Sequence, residues 1–163
     1  MTKSKLTNRI ETTILSNLVY NEEYTRKVIP FLKEEYFQDG IEKVIFQTIW
    51  AYAEKYKSNP TLEALVIDVQ DKALNEEQYK KSVDYLSEIE KTTMDLDWLT
   101  DQTEKWCKEK AIYNAVLNSI QIIDGKVKDQ TPDSLPGILS EALSVSFDKH
   151  IGHDYMEQSA DRY

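Results

Sequence analysis

The sequence predicts an all-α protein: a small globular bundle of about five helices, a long antiparallel helical hairpin and a C-terminal linker. Apolar residues recur at three- and four-residue spacing along most of the chain, which is typical of amphipathic helices. Sustained alternation of apolar and polar residues is missing, so strands are not expected. The 163 residues contain only four glycines and four prolines, which leaves room for long helices. The three regions are predicted at residues 1–94, 95–147 and 148–163.

Start signals place the first three helices of the bundle. Asn8 and Glu11 have capping-box spacing before a first helix. Asn21 opens a second helix that Pro30 ends, because proline disfavours helical geometry in the residue before it. Asp39 is expected to cap the third helix. Two aromatic residues in the turn before it are expected to fill the core: Tyr36 and Phe37. The predicted apolar face of the third helix is Ile41, Ile45, Ile49, Tyr52 and Tyr56, widened by Phe46 and Trp50.

Two further helices complete the predicted bundle after a loop at residues 57–60. Thr61 can cap the fourth helix, and Asn75 with Gln78 can cap the fifth. The expected core positions of these helices follow helical spacing: Leu62, Leu65, Val66 and Val69, then Tyr79, Val83, Leu86 and Ile89.

The hairpin begins with a long helix. Asp97 offers an N-cap side chain, and Asp124-Gly125 supplies the left-handed residue that commonly ends a helix. Such a helix would be about 40 Å long at 1.5 Å per residue, more than a domain of this size needs to close its core. Two rows of residues at seven-residue spacing run along this helix. Both rows are apolar in the second half of the helix, which favours a coiled-coil-like partner. The rows are Leu99, Trp106, Tyr113 and Ile120, and Gln102, Glu109, Val116 and Ile123.

A second helix should return along the first one. Thr131-Pro132 and Ser134-Leu135-Pro136 are two possible starts, since proline is favoured at the first helical position. Its apolar face would be Leu135, Ile138, Leu139, Ala142, Leu143 and Phe147. On the hairpin, Trp98, Trp106 and Tyr113 are candidates for an interface, where large amphipathic rings are enriched. The alternative is that the hairpin packs only on its own globular part.

The composition argues against several classes of protein for this chain, namely nucleic-acid-binding, disulfide-bonded and membrane-spanning proteins. The chain carries 20 basic and 29 acidic residues, a formal charge of -9, and the charges are scattered. Because phosphate backbones repel such a surface, direct nucleic-acid binding by these residues is not expected. The single Cys107 cannot form an internal disulfide and should be an unpaired small hydrophobe in a reducing compartment. No run of eighteen apolar residues exists, so no membrane span is expected and the protein should be soluble and intracellular.

Motifs for chemistry are weak. The sequence has neither G-x-x-x-x-G-K-[ST] nor G-x-G-x-x-G, so no phosphate cradle is recognised. His150 and His153 form an H-x-x-H, but a polar linker without a second ligand cluster makes a poor metal site. Paired glutamates fall on expected helix surfaces, where they solvate the protein. No catalytic, cofactor-binding or metal-binding residue is predicted. After the linker, Tyr155, Met156 and Tyr163 could begin another amphipathic helix, which suggests that the chain was cut from a longer one.

Several short stretches stand out in this order of elements: Glu35-Tyr36-Phe37 with Gly40 and Phe46, Trp98-Leu99 with Thr103-Glu104-Lys105, Asn114-Ala115, and Ala142-Leu143-Ser144-Val145-Ser146-Phe147-Asp148 with Gly152-His153-Asp154. Together they resemble the N-terminal domain of DnaB-type replicative helicases, in the form found in T-even phages. The resemblance covers essentially the whole chain, and its last block is the most specific.

The resemblance implies an assembly role. In that family a hexameric ring moves along one DNA strand using ATP, and the N-terminal domains form a collar that associates through its hairpins and helps engage primase or a loader. The ATPase domain, with its Walker motifs, ATP and Mg²⁺, would follow Tyr163, so no catalytic residue carries over. The resemblance also implies that the protein acts in the cytoplasm of a bacterial host. The hairpin interface would involve Trp106, Tyr113, Leu117, Ile120, Leu139, Leu143 and Phe147. The linker to the motor would contain Ile151, His153, Tyr155 and Met156.

Two other hypotheses stay open. A free-standing acidic helical adaptor or inhibitor, such as a DNA mimic, would also suit the composition. Its reading frame would end without a Walker-containing domain. An enzyme with an unrecognised site in the helical core would instead be revealed by nucleotides or divalent metals raising the melting temperature.

Overall fold

The computed structural model describes residues 9–72 and 74–147, and in these ranges it contains helices and no strand. The all-α prediction is therefore confirmed. The α-helices are α1 (Ile10–Tyr20), α2 (Glu22–Val28), α3 (Gly40–Tyr56), α4 (Leu62–Gln70), α5 (Glu76–Ser87), α6 (Leu96–Ile123) and α7 (Leu135–Leu143). Short 3-10 helices lie at Ile29–Phe31, Glu34–Tyr36 and Pro132–Ser134. The chain divides into two compact units, Met1–Thr103 and Glu104–Tyr163, so the division falls within α6 rather than at its start.

Side-chain caps start most helices of the first unit where the sequence predicts them. Asn21 accepts a hydrogen bond from the backbone N–H of Tyr24, and Thr61 starts α4 in the same way. Asp39 accepts from two backbone N–H groups at the start of α3. Asn75 and Gln78 form the predicted capping box of α5. Each cap satisfies donors that a helix N-terminus otherwise leaves unpaired.

The core of the first unit lies around α3, which contacts α1, α4 and α5. Large, fully buried apolar side chains come from five helices, α1 to α5, and from the turn before α3, and they include Ile14, Leu15, Leu18, Tyr24, Phe37, Ile45, Ile49, Leu65 and Leu86. The rings of Phe37 and Phe46 stack at 5.1 Å between centroids. The prediction that Tyr36 and Phe37 fill the core is confirmed. Trp50 and Tyr56 are exposed, so the predicted face of α3 was too wide.

Two predicted helix starts need correction. The N-cap position of α1 is Arg9, whose side chain makes no cap hydrogen bond, and Asn8 lies outside the described residues. Helix α6 begins at Leu96 rather than after Asp97. The Asp95 carboxylate accepts from the backbone N–H of Trp98 at 2.9 Å, three residues later. Both aspartates can cap, and the sequence offers no local signal that decides between them.

The end of α6 follows the predicted left-handed glycine. Gly125 has a φ of 76°, and its N–H donates to the carbonyl of Ile122. The N–H of Lys126 donates to the carbonyl of Gln121, which completes a Schellman motif. The chain then returns: Thr131 precedes the 3-10 turn and Ser134 precedes α7, so both predicted starts are used.

A hydrogen-bonded contact shows that the return segment reaches the beginning of its unit. The Glu104 carboxylate accepts from the Ser146 hydroxyl at 3.2 Å and from the backbone N–H of Phe147 at 3.0 Å. Lys108 lies 3.8 Å from the same carboxylate. From Glu104 to the end of α6 is roughly 28 Å at 1.5 Å per residue, and the following residues cover this length again in the opposite direction. The second unit is thus antiparallel, although α7 ends at Leu143 and Phe147 packs from beyond it.

Candidate assembly surface

Six large apolar residues in the second half of α6 are exposed, and we call them the apolar stripe. They are Ile112, Tyr113, Val116, Leu117, Ile120 and Ile123, with exposed fractions between 37% and 62%. At about 100° per residue they fall within an arc of roughly 140° on one side of the helix. No residue between Ala111 and Ile123 is charged. Aliphatic and aromatic carbon therefore covers this side of the helix without interruption.

The neighbouring side of α6 is already buried. Ala111, Ala115, Ser119 and Ile122 follow one another at spacings of three and four residues, and each is at most 9% exposed. The Ser119 hydroxyl donates to the carbonyl of Ala115 within the helix. The other polar residues of this half of α6, Asn114, Asn118 and Gln121, occupy the narrow remaining arc. A helix that is apolar on more than half of its circumference is expected to be covered on more than one side.

Helix α7 adds exposed apolar side chains within the same unit. Leu139 is 36% exposed and Leu143 is 69% exposed. Ala142 lies between them and is buried, so α7 has an inner and an outer face. These two leucines add to the exposed apolar area of the second unit.

The predicted interface residues fall into three groups. Five are on the surface of the second unit: Tyr113, Leu117, Ile120, Leu139 and Leu143. Trp106 and Phe147 are 4% and 8% exposed, so they lie beneath a surface rather than on it. Trp98 is half exposed but belongs to the first unit. Sequence reasoning left out Ile112, although a helical projection would have placed it beside Val116.

Cys107 follows the buried side of α6. It is a free thiol and fully buried. Burial, with the nearby Glu104 carboxylate adding to it, raises the pKa of the thiol to about 12. The thiol therefore stays protonated near neutral pH, as suits an unpaired small hydrophobe.

One buried cluster of titratable groups lies in the first unit. Glu42 is 1% exposed, and its carboxylate accepts two hydrogen bonds from the Arg9 guanidinium, at 2.7 Å and 3.0 Å. The Tyr85 hydroxyl donates to the same carboxylate at 2.8 Å, and Thr12 lies 3.2 Å from that hydroxyl. Burial raises the pKa of Tyr85, and the hydrogen bonding of its guanidinium to the Glu42 carboxylate raises the pKa of Arg9. These partners satisfy the buried carboxylate, so the cluster ties α1, α3 and α5 together.

Other predicted features lie outside the described residues. These are the linker residues Ile151, His153, Tyr155 and Met156 and the H-x-x-H motif. In residues 9–72 and 74–147, no three His, Cys, Asp or Glu side chains are grouped so that they could hold a metal ion. Over the same residues, no helix is both long and apolar enough to cross a membrane.

Comparison with known proteins shows which proteins the chain is similar to. No protein-family model matches it. It is 32% identical over 158 residues to a DnaB-like replicative helicase of Enterobacteria phage T4. The match covers 92% of this chain and 33% of the relative, so the chain spans about one third of the relative's length. The resemblance to the DnaB-type replicative helicases is confirmed.

Proposed function

Because this chain is related to the DnaB-like replicative helicase of phage T4, we propose that it is the N-terminal collar domain of such a helicase. Its role in this proposal is assembly: copies of the domain associate and hold a hexameric ring together in the cytoplasm of a bacterial host. Unwinding, with ATP and Mg²⁺, belongs to another part of the parent protein. The collar also helps engage primase or a helicase loader. Residues 148–163 connect the collar to the motor.

The apolar stripe on α6 is the observation that supports this proposal. Soluble monomers rarely expose a large contiguous apolar patch, and such patches commonly mark protein–protein contacts. Contacts between identical subunits are more apolar than the average surface. The stripe has no charged residue, so two copies can face each other there without bringing like charges together, despite the net charge of -9. A second copy of the chain is therefore the partner that this surface suits.

The net negative charge of the domain disfavours DNA binding and is compatible with an assembly role. With 29 acidic and 20 basic residues, the domain has little attraction for a polyanion. A collar of this composition surrounds DNA without holding it, which leaves translocation to the motor of the parent protein.

The test is the sedimentation of the chain and of two variants, Tyr113→Asp and Leu143→Asp. The unmodified chain should self-associate with rising concentration. Each variant should shift toward the monomer, because its carboxylate would have to lose water in the interface. Circular dichroism shows whether the variants keep their helices. If both fold and still sediment like the unmodified chain, the assignment of this surface is wrong.

A further inference from the structure

A second apolar surface lies in the first unit, between α4 and α5. It is a groove of about 380 Å³, lined by Leu62, Val66 and Ile67 from α4 and by Val83 and Leu86 from α5, with Glu63 at its side. The apolar stripe belongs to the other unit, so this groove has no part in the proposed self-association.

The groove exists because α4 carries more apolar residues than the core takes up. Leu65 and Val69 are buried and face the core. Leu62 and Val66 are only half buried, and Ile67 is 58% exposed. Helix α5 contributes Val83, which is also half buried. Two neighbouring helices thus leave a trough of aliphatic carbon between them, of the kind that receives one face of an amphipathic helix.

The two helices that form the groove, with the residues next to them, carry mostly acidic charge. Residues 62–91 contain eight acidic residues and four lysines, a net charge of -4. Glu63 is the one ionisable residue among those that line the groove. Lys81 on α5 already pairs with Glu77 at 3.0 Å. The acidic residues are Glu63, Asp68, Asp71, Glu76, Glu77, Asp84, Glu88 and Glu90, and the lysines are Lys72, Lys80, Lys81 and Lys91. A surface of this sign attracts cationic partners and repels another copy of itself.

We propose that the groove between α4 and α5 docks an amphipathic helix of a partner protein, with aliphatic anchors at helical spacing and lysine or arginine on its flanks. The anchors replace water over Leu62, Val66 and Ile67, while the basic flanks face the acidic residues of both helices. Apolar contact supplies affinity, and charge selects the partner and speeds the encounter. This goes beyond self-association, since a different protein occupies a different surface.

The test uses the 163-residue chain and three synthetic helical peptides. The first has leucines at positions i, i+3, i+4 and i+7 and lysine flanks. The second keeps the leucines and has glutamate flanks, and the third has the composition of the first in scrambled order. Isothermal titration calorimetry at low and high salt gives the affinities. We expect the first peptide to bind at least about tenfold more tightly than either of the others. High salt should remove its advantage over the glutamate-flanked peptide but not its advantage over the scrambled peptide, because screening weakens the charge contacts and leaves the apolar contact.

Matched variants locate the binding. Ile67→Lys and Ile123→Lys place the same residue at two isoleucines of similar exposure, 58% and 62%, in the two units. Ile67→Lys should weaken binding of the first peptide at least about tenfold, because the anchor pocket loses its apolar wall. Ile123→Lys should leave it unchanged.

Three results of the peptide titrations would overturn the proposal. They are no binding of the first peptide, equal binding of the lysine-flanked and glutamate-flanked peptides, and loss of binding in Ile123→Lys instead of Ile67→Lys. If Ile67→Lys abolishes self-association of the chain, the groove is occupied by a second copy, and the proposal also fails. Loss of self-association in Tyr113→Asp bears only on the collar function, so the two proposals can fail separately.

Discussion

Replacing Leu117 by aspartate should separate the copies of this chain. Leu117 lies within the apolar stripe and is 45% exposed, so the folded monomer tolerates a polar side chain there. Asn118 is the next residue on the same turn and lies outside the stripe. Asn118→Asp therefore adds the same charge to the same part of α6 without touching the proposed interface. The two variants differ mainly in the direction in which the new carboxylate points.

The size of the effect follows from the exposed area. Full burial of a leucine or isoleucine contributes about 1.5–3 kcal/mol, so a half-exposed residue of the stripe can add about 1 kcal/mol on association. Six residues from each of two copies give on the order of 10 kcal/mol, which is comparable with the free-energy cost of bringing two molecules together. The affinity between copies should therefore be modest, and the loss of one apolar contact should change it measurably. Leu117→Asp loses the apolar contribution and buries an unpaired carboxylate, so the dissociation constant should rise at least about 100-fold, or about 3 kcal/mol.

Sedimentation velocity over a concentration series measures this change. Asn118→Asp should associate like the unmodified chain, and circular dichroism should show equal helix content in both variants. Because the stripe has no charged residue, association of the unmodified chain should not weaken between low and high salt. The reasoning is refuted if Leu117→Asp and Asn118→Asp associate equally, or if salt dissociates the unmodified chain.

Three further predictions concern stability. Arg9→Met should lower the free energy of unfolding, measured in urea, by about 2–3 kcal/mol, because it leaves the buried Glu42 carboxylate without the Arg9 cation. The double variant Arg9→Met, Glu42→Gln should recover part of this loss. A pKa of about 12 for Cys107 means that the folded state keeps its thiol proton after the unfolded chain has lost it. Stability should therefore fall as pH rises from about 9 toward 12, by up to about 1.4 kcal/mol per unit relative to Cys107→Ala, and equal slopes for the two proteins would contradict this. Gly125→Ala should cost about 1 kcal/mol, because Gly125 has a φ of 76°. By contrast, Gly137→Ala should stabilise the protein, since Gly137 lies in α7 with open space around its Cα. Thermal melts in which both variants shift the melting temperature in the same direction would argue against the Schellman motif at Gly125.

Much of the fold could be predicted because helix boundaries depend on contacts only a few residues apart. Asn21, Asp39, Thr61 and Asn75 all cap helices as predicted, since the cap and the N–H that it satisfies are local neighbours. The ambiguous start of α6 marks the limit of this reasoning. Two aspartates lie two residues apart there, and only the folded chain shows that Asp95 is the cap.

The candidate site was harder to predict, because periodicity reveals that a helix has an apolar face but not what covers it. The heptad count placed Trp106, Tyr113 and Ile120 in one row. The structure buries Trp106 and exposes the other two. Burial of a row depends on packing with residues distant in the chain, and no spacing rule contains that information. The Arg9–Glu42 pair was missed for the same reason, since its members lie 33 positions apart.

Local chemistry was therefore enough to establish that this chain is helical, where most helices begin, and that Gly125 ends the longest one. Long-range packing alone settled which apolar residues face inward and which are left for a partner. The reason is physical: a cap or a turn is stabilised by its own neighbours in sequence, whereas burial is shared among side chains that only the folded molecule brings together.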